Sequence, residues 1–313
     1  ILERYPDVDV QIFPVADGGE GTVEALTFGK EHVQTRTIPV TGPVGTKVSA
    51  EYTIYEQAGG NTAVLEMAQA AGLPLVPEEK RNPMHTTTYG VGEMIRDAIT
   101  CGCRKFILGI GGSATNDAGI GMLQALGFHF MDEAGSEVGY GAEGLAQVRS
   151  ITTEKVMPEL ASCTFQIACD VTNPLCGRNG ATYVFGPQKG VTEEMKQPLD
   201  AAMARYGQAV AKAIGTDYMQ EPGTGAAGGL GFAFRSFLKA ELTPGIELIL
   251  DAVGLEQELT DADYAITGEG KLDFQTAMGK APVGVAKLAK KHGVRVLAFA
   301  GSVTKEARAC NVA

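Results

Sequence analysis

Short apolar runs, glycine-rich turns and amphipathic stretches follow one another along this chain, the signature of an α/β protein. Val10-Gln11-Ile12-Phe13-Pro14-Val15 reads as a strand that runs into Ala16-Asp17-Gly18-Gly19-Glu20-Gly21-Thr22 and a short helix through Lys30. Lys105 to Ile110 reads as another, followed by the turn Gly111-Gly112-Ser113-Ala114-Thr115-Asn116-Asp117 and a helix ending at Gly127. Tyr264-Ala265-Ile266-Thr267 opens a third unit, whose turn spans Gly268 to Lys280. A helical pattern from Ala281 to His292 follows it, and Val294 to Ala300 reads as the next strand. Pro282 in that helix's first turn and Gly293 just past its end are the residues that start and stop helices.

Between Gln34 and Glu66 the pattern changes. Lys47 to Glu56 alternates with period two, which predicts a half-exposed antiparallel strand. Such a stretch points to a second domain, inserted into the parallel-sheet domain or packed beside it. Ala201 to Ile214 and Gly225 to Leu238 read as helices. Neither repeats nor low-complexity linkers interrupt the pattern.

Composition narrows the class. A chain of 313 residues, 44% hydrophobic and 20% charged, is long enough for two globular domains with their own cores. Its 41 glycines cluster just after apolar runs, as tight anion-binding loops would place them. With 37 acidic against 26 basic residues the net charge is −11, the wrong sign for a nucleic-acid binder. An anionic ligand stays possible, because lysines or Mg2+ reverse the field locally. The six cysteines form no CxxC pair and the four histidines are scattered, which argues against zinc and for reduced cytoplasmic thiols. No apolar run reaches the ~18 residues of a membrane span, and no signal peptide is visible.

The turns carry the candidate chemistry. Gly279-Lys280 is followed by Ala281 and Gly29-Lys30 by Glu31, so neither completes a Walker A phosphate loop. Gly109-Ile110-Gly111-Gly112-Ser113-Ala114 fits G-x-G-x-x-A, with Asp132 or Glu133 where a ribose-binding acid would lie. Three readings stay open there: a dinucleotide loop, a phosphate or substrate contact, or plain helix capping by Ser113, Thr115 or Asn116. Asp17, Glu20, Asp117, Asp170, Glu269 and Asp273 sit beside turns, and Lys189, Lys271, Lys280 and Arg178 lie on loops. Singly, each Asp could be an Asx turn. Together they suit Mg2+ and phosphoryl transfer, which needs a metal, cationic clamps and a carboxylate near the acceptor hydroxyl. Asn173 either holds the turn before Pro174 or reaches a ligand. The bare stretch Gly223 to Gly231 implies close approach of backbone to another element or a ligand. No G-x-S-x-G accompanies the histidines, and of these only His85, before three threonines, stands out.

Six blocks in order resemble the bacterial glycerate kinases: ADGGEGT (16–22), GGSATNDAG (111–119), CDVTNPLCG (169–177), FGPQKG (185–190), GTGAAGGLG (223–231) and TGEGKLDFQTAMGKAPVGVA (267–286). The resemblance implies a Rossmann-like parallel-sheet α/β domain, here from residues 1–38 and 241–313, and a second mixed α/β domain over 39–240. The active site would lie in the cleft between them. Family members carry a further strand and a Ser-Phe-Lys-Gly-Ser loop ahead of the segment that begins here at Ile1, so the first domain reads as truncated at both ends.

The resemblance also implies ATP- and Mg2+-dependent phosphorylation of D-glycerate to 2-phosphoglycerate, in the cytoplasm, by a monomer or homodimer with small-molecule partners alone. Gly111, Gly112 and Ser113 would offer donors to an anion, with Thr115, Asn116, Asp117, Asn173, Glu269, Gln275 and Thr276 as further substrate or phosphate contacts. Lys271 and Lys280 would neutralise charge. One of Asp17, Asp170 and Asp273 would accept the hydroxyl proton and another would bind Mg2+, Asp170 and Asp273 being the metal candidates. Two rivals remain: an NAD-dependent oxidoreductase, and a fragment that binds substrate without turning it over.

Overall fold

A computed structural model describes residues 3–16, 22–57, 59–272, 280–305 and 307. The chain divides into two compact units, Ile1–Gly29 with Ile246–Ala313, and Lys30–Gly245. The first unit opens with an extended segment and the short helix α1 (Thr22–Thr27). Val10 to Val15, read as a strand, pairs with no strand among the described residues. Val10 and Ile12 are exposed there, and Pro14 has no N–H to give to a ladder.

The second unit is built on one six-stranded sheet, in the order β1-β2-β3-β4-β7-β8. β1 (Gln34–Thr41), β2 (Lys47–Gln57) and β3 (Gly60–Glu66) form an antiparallel meander. β2 has the predicted alternation in its first half. From Tyr52 to Tyr55 it is buried on both faces, because it lies between two partners and under the core. After α2 (Ala68–Ala71) and α3 (Tyr89–Thr100) the chain enters β4 (Lys105–Gly109), which pairs parallel to β3. Helix α4 (Ile120–Ala125), the small antiparallel pair β5 (His129–Met131) and β6 (Ser150–Thr152), and α5 (Gly141–Gln147) then lead to β7 (Thr164–Ala168). Helices α6 (Ala181–Phe185), α7 (Glu193–Ile214) and α8 (Ala226–Leu238) connect β7 to β8 (Glu241–Thr243). Both β4–β7 and β7–β8 are parallel.

Alternate residues of the strands decide which face holds the core. Ala63, Leu65, Phe106, Leu108, Phe165 and Ile167 join Met94, Ile95, Leu123, Leu230 and Phe234 of the helices in one cluster. Phe106 stacks on Phe165 with centroids 4.8 Å apart. Gln166, between Phe165 and Ile167, points to the other face and is exposed. Helix α7 begins eight residues before the predicted Ala201 and carries Pro198 within it. That proline removes one backbone bond, and the buried stripe Leu199, Ala202, Met203, Tyr206 and Val210 outweighs the loss.

In the first unit, α9 (Gly245–Ala252), α10 (Leu255–Glu258) and α11 (Ala281–Lys291) surround a small core of Ile246, Leu250, Leu255, Leu259, Val285 and Ala289. β9 (Tyr264–Leu272) pairs parallel to β10 (Arg295–Val303). Helix α11 matches its predicted span, with Pro282 in its first turn and Gly293 at φ 72° just past its end. The strand before it runs longer than predicted: Gly268, Glu269, Lys271 and Leu272 continue the ladder opposite Phe299, Ala300, Ser302 and Val303 of β10, so the chain does not turn at Gly268.

Candidate functional site

The carboxyl ends of the parallel strands lie level in the second unit. Glu66 pairs with Gly109, Gly109 with Ala168, and Ala168 with Thr243, so four segments leave the sheet side by side. In open α/β sheets this edge is where ligands bind. Neighbouring strands stand about 4.8 Å apart, which puts the strands of Glu66 and Asp170 about 10 Å from each other across β4.

The turn after β4 occupies the middle of that edge. Backbone bonds from Leu73 N–H to the Gly112 carbonyl (2.8 Å) and from Ala114 N–H to the Ala71 carbonyl (2.9 Å) fasten it to the segment after β3. Gly111 and Gly112 are nevertheless exposed, and Gly112 has φ 70°. A Cβ on Gly111 would meet nothing within 4 Å, so this backbone is open to an approaching ligand.

Helix α4 does not start at this turn. It begins at Ile120, with Gly119 at φ 74° as its N-cap, and none of Ser113, Thr115 and Asn116 caps it. A G-x-G-x-x-A dinucleotide loop needs its glycines to open the helix directly, so the reading of Gly109 to Ala114 as such a loop is corrected. The intervening residues are instead an extended, wholly buried stretch: Thr115, Asn116 and Asp117 are each 0% exposed.

That burial explains their polarity. The Asp117 carboxylate accepts from Thr88 N–H (2.9 Å), Thr88 hydroxyl (2.8 Å) and Gly119 N–H (3.1 Å), and so joins the N-termini of α3 and α4. Burial pushes its carboxyl up from the ordinary value, while these donors oppose the shift. Asn116 donates to the Thr182 hydroxyl at 3.0 Å. Behind the stretch, Ala118 N–H donates to the Gly228 carbonyl at 2.9 Å. A Cβ at Gly228 (φ 69°) would lie 2.0 Å from the Thr115 carbonyl oxygen. The bare Gly223–Gly231 segment is thus bare because two backbones touch.

Beneath the turn lies a cation that sequence reading placed on a loop and gave no role. Lys189 is 1% exposed, and its ammonium donates to Ser113 Oγ (2.6 Å) and to the Thr115 carbonyl (2.7 Å). Burial pushes it down to about 7, and the Asp117 charge partly opposes that. Its position after Phe185-Gly186-Pro187-Gln188, in a short 3-10 turn, gave no sign of burial.

Two carboxylates flank the turn. Asp170 is exposed at the end of β7, where one oxygen accepts the Gly245 N–H at 2.7 Å and ties the ends of β7 and β8 together. Glu66, the last residue of β3, was not singled out in the sequence; burial pushes its carboxyl up. The criterion that found Asp170, an acid ending an apolar run, also fits Thr62-Ala63-Val64-Leu65-Glu66. Asn173 is a turn-holder: its amide donates to the Asn179 carbonyl at 2.8 Å. Among the described residues, no three His, Cys, Asp or Glu side chains gather closely enough to hold a metal ion by themselves. His85 faces Glu143 at 3.4 Å in an exposed pair.

In the first unit, Glu269 and Lys271 lie within β9, opposite Ala300 and Ser302 of β10. Lys280 is the N-cap of α11, where its carbonyl accepts from Val283 and Gly284 N–H, both at 3.0 Å. Asp17, Glu20, Asp273, Gln275 and Thr276 lie outside the described residues.

Comparison with known proteins bears on this arrangement. The family model described as "Glycerate kinase family" matches residues 1–313. The chain is 47% identical over 304 residues to the glycerate 2-kinase of Escherichia coli (strain K12), covering 97% of this chain and 79% of that protein. It is 47% identical over 308 residues to the glycerate kinase of Bacillus subtilis (strain 168), with 97% and 79% covered. A crystal structure of a Salmonella typhimurium LT2 protein assigned as a glycerate kinase 2 superimposes with TM-score 0.89 at 42% identity, covering 99% of this chain and 90% of that one.

Proposed function

The chain belongs to the glycerate kinase family, kinases with an alcohol acceptor, and from that premise we propose that it transfers the γ-phosphoryl group of ATP to the 2-hydroxyl of D-glycerate. The observation that carries this reading is the family match along the whole chain. The exposed Gly111–Gly112 turn, with Ser113 behind it, supports it as a contact for an oxyanion. Thr115, Asn116 and Asp117 lie buried behind that turn.

In-line phosphoryl transfer asks the protein for positioning, charge compensation and a proton acceptor. Glu66 is assigned to take the proton of the glycerate hydroxyl, since a carboxyl raised by burial is a better base near neutral pH. Lys271 and Lys280 are assigned to phosphate charge. Mg2+ takes one or two carboxylates and completes its shell with phosphate oxygens and water, and the exposed Asp170 is a donor of that kind. When bound, the ion would offset the charge on the β- and γ-phosphates. Small molecules are then the only partners the reaction requires, and the cytoplasm, where ATP is made, is the fitting compartment. Among the described residues, no helix is long and apolar enough to cross a membrane.

The test is incubation with D-glycerate and ATP–Mg2+, reading ADP release and the NMR spectrum of the product. ADP together with 2-phosphoglycerate supports the reading. Release no higher than in the glycerate-free control overturns it, and 3-phosphoglycerate would move the reacting hydroxyl. Glu66→Gln should lower kcat by about 100-fold or more, with KM changed far less.

A further inference from the structure

We infer that Lys189 is a positioning residue for an oxyanion at the Gly111–Ser113 turn, and that it acts by orienting the Ser113 hydroxyl outward as a donor. The inference deepens the kinase reading and rests on it for the identity of the ligand. A hydroxyl oxygen that accepts from an ammonium has its own proton left to give. Ser113 Oγ accepts from Lys189 at 2.6 Å, and no acceptor among the described residues takes the Ser113 proton. That proton is the one we assign to the ligand, beside the exposed Gly111 and Gly112. The same ammonium holds the Thr115 carbonyl at 2.7 Å, so it fixes the turn at two points, Ser113 and Thr115.

Burial makes this arrangement sensitive to charge. The titratable group facing Lys189 from the α4 side is Asp117, which is fully buried. Tyr206 of α7, also buried, senses Asp117, and burial keeps its phenol neutral. An oxyanion on Ser113 adds negative charge to this set and favours the protonated form of Lys189. Binding therefore takes up a proton once the free protein has begun to lose it. The sign follows: Lys189 titrates near 7 when the turn is empty and higher when it is filled, so affinity falls as pH rises above about 7. Once neutral, the amine can accept from Ser113, the hydroxyl proton turns inward, and the outward donor is lost.

The oxyanion has two sources, the carboxylate of glycerate and the phosphates of ATP, and calorimetry with each ligand separately distinguishes them. Titrations are run at pH 7 and pH 9 on the wild type, Lys189→Met, Lys189→Arg and Ser113→Ala. In the wild type, one of the two ligands should bind about tenfold or more weakly at pH 9, with proton uptake. Ser113→Ala leaves Lys189 in place and should bind that ligand weakly and equally at both pH values. Lys189→Met should do the same, and Lys189→Arg, where it folds, should bind independently of pH. The inference is overturned if both ligands bind the wild type equally at the two pH values, or if Ser113→Ala keeps the wild-type pH dependence. ADP release separates the two levels: turnover with pH-independent binding overturns the role of Lys189 and leaves the kinase standing. The predicted binding without turnover does the reverse, and no binding of either ligand overturns both.

Discussion

Adding one methyl group at each of two glycines should separate the part of this site that holds the fold from the part that meets ligand. In Gly228→Ala the new Cβ would lie 2.0 Å from the Thr115 carbonyl oxygen and 2.7 Å from the Asn116 Cα, both backbone atoms. Ordinary contact begins near 3.4 Å, so the two segments must part by more than an ångström. That motion strains the Ala118–Gly228 hydrogen bond. A φ of 69° adds a left-handed penalty of about 1–2 kcal/mol for alanine. Overpacking adds roughly 1–3 kcal/mol, for a total of about 2–5 kcal/mol. Gly111→Ala is the counterpart, since nothing lies within 4 Å of its Cβ and its φ is not positive. Stability there should change by less than about 1 kcal/mol, in the favourable direction, through the unfolded chain. Urea unfolding followed by circular dichroism measures both, and ADP release measures activity. Gly228→Ala should lose stability, whereas Gly111→Ala should keep it and show KM raised about tenfold. A loss under about 0.5 kcal/mol in Gly228→Ala would refute the contact argument. An unchanged KM for both substrates in Gly111→Ala would refute the turn as a ligand contact.

Three more substitutions probe separate claims. Asp170→Asn should lower kcat by at least about 100-fold, the scale of losing a metal's charge stabilisation, with little change in unfolding midpoint, because an amide oxygen still accepts the Gly245 N–H; near-wild-type kcat removes Asp170 from the reaction. Lys280→Ala should lower kcat/KM by about tenfold or more in steady-state assays, the scale of one charge-assisted contact, and an unchanged value confines Lys280 to its N-cap role. Tyr206→Phe should leave the urea midpoint unchanged or raise stability by up to about 1 kcal/mol, since the buried hydroxyl has no partner among the described residues. A loss above about 1 kcal/mol would show that the hydroxyl is satisfied, for instance by buried water.

Why some of this was legible in the sequence and some was not comes down to what a local pattern can encode. Helix α11 was readable to its ends because Pro282, the Val285–Ala289 stripe and Gly293 are local signals acting within one element. The Gly111–Asp117 turn was recognisable as chemistry, but its two halves do opposite jobs. Gly111 and Gly112 face outward, while Thr115 to Asp117 face two helix ends and a buried lysine supplied from 72 to 74 residues further along the chain. Nothing in Ser-Ala-Thr-Asn-Asp separates a polar group that waits for a ligand from one that already has a protein partner. Only the long-range pairing decides it, and here that pairing depends on Lys189. A lysine at a turn reads as solvated by default, since burying its charge costs more than most contacts return. The cost is tolerable at this position because Ser113, Thr115 and Asp117 converge on it. Those residues looked like ligand-binding candidates because they are polar beside glycines, and the feature that made them conspicuous is the network that holds Lys189.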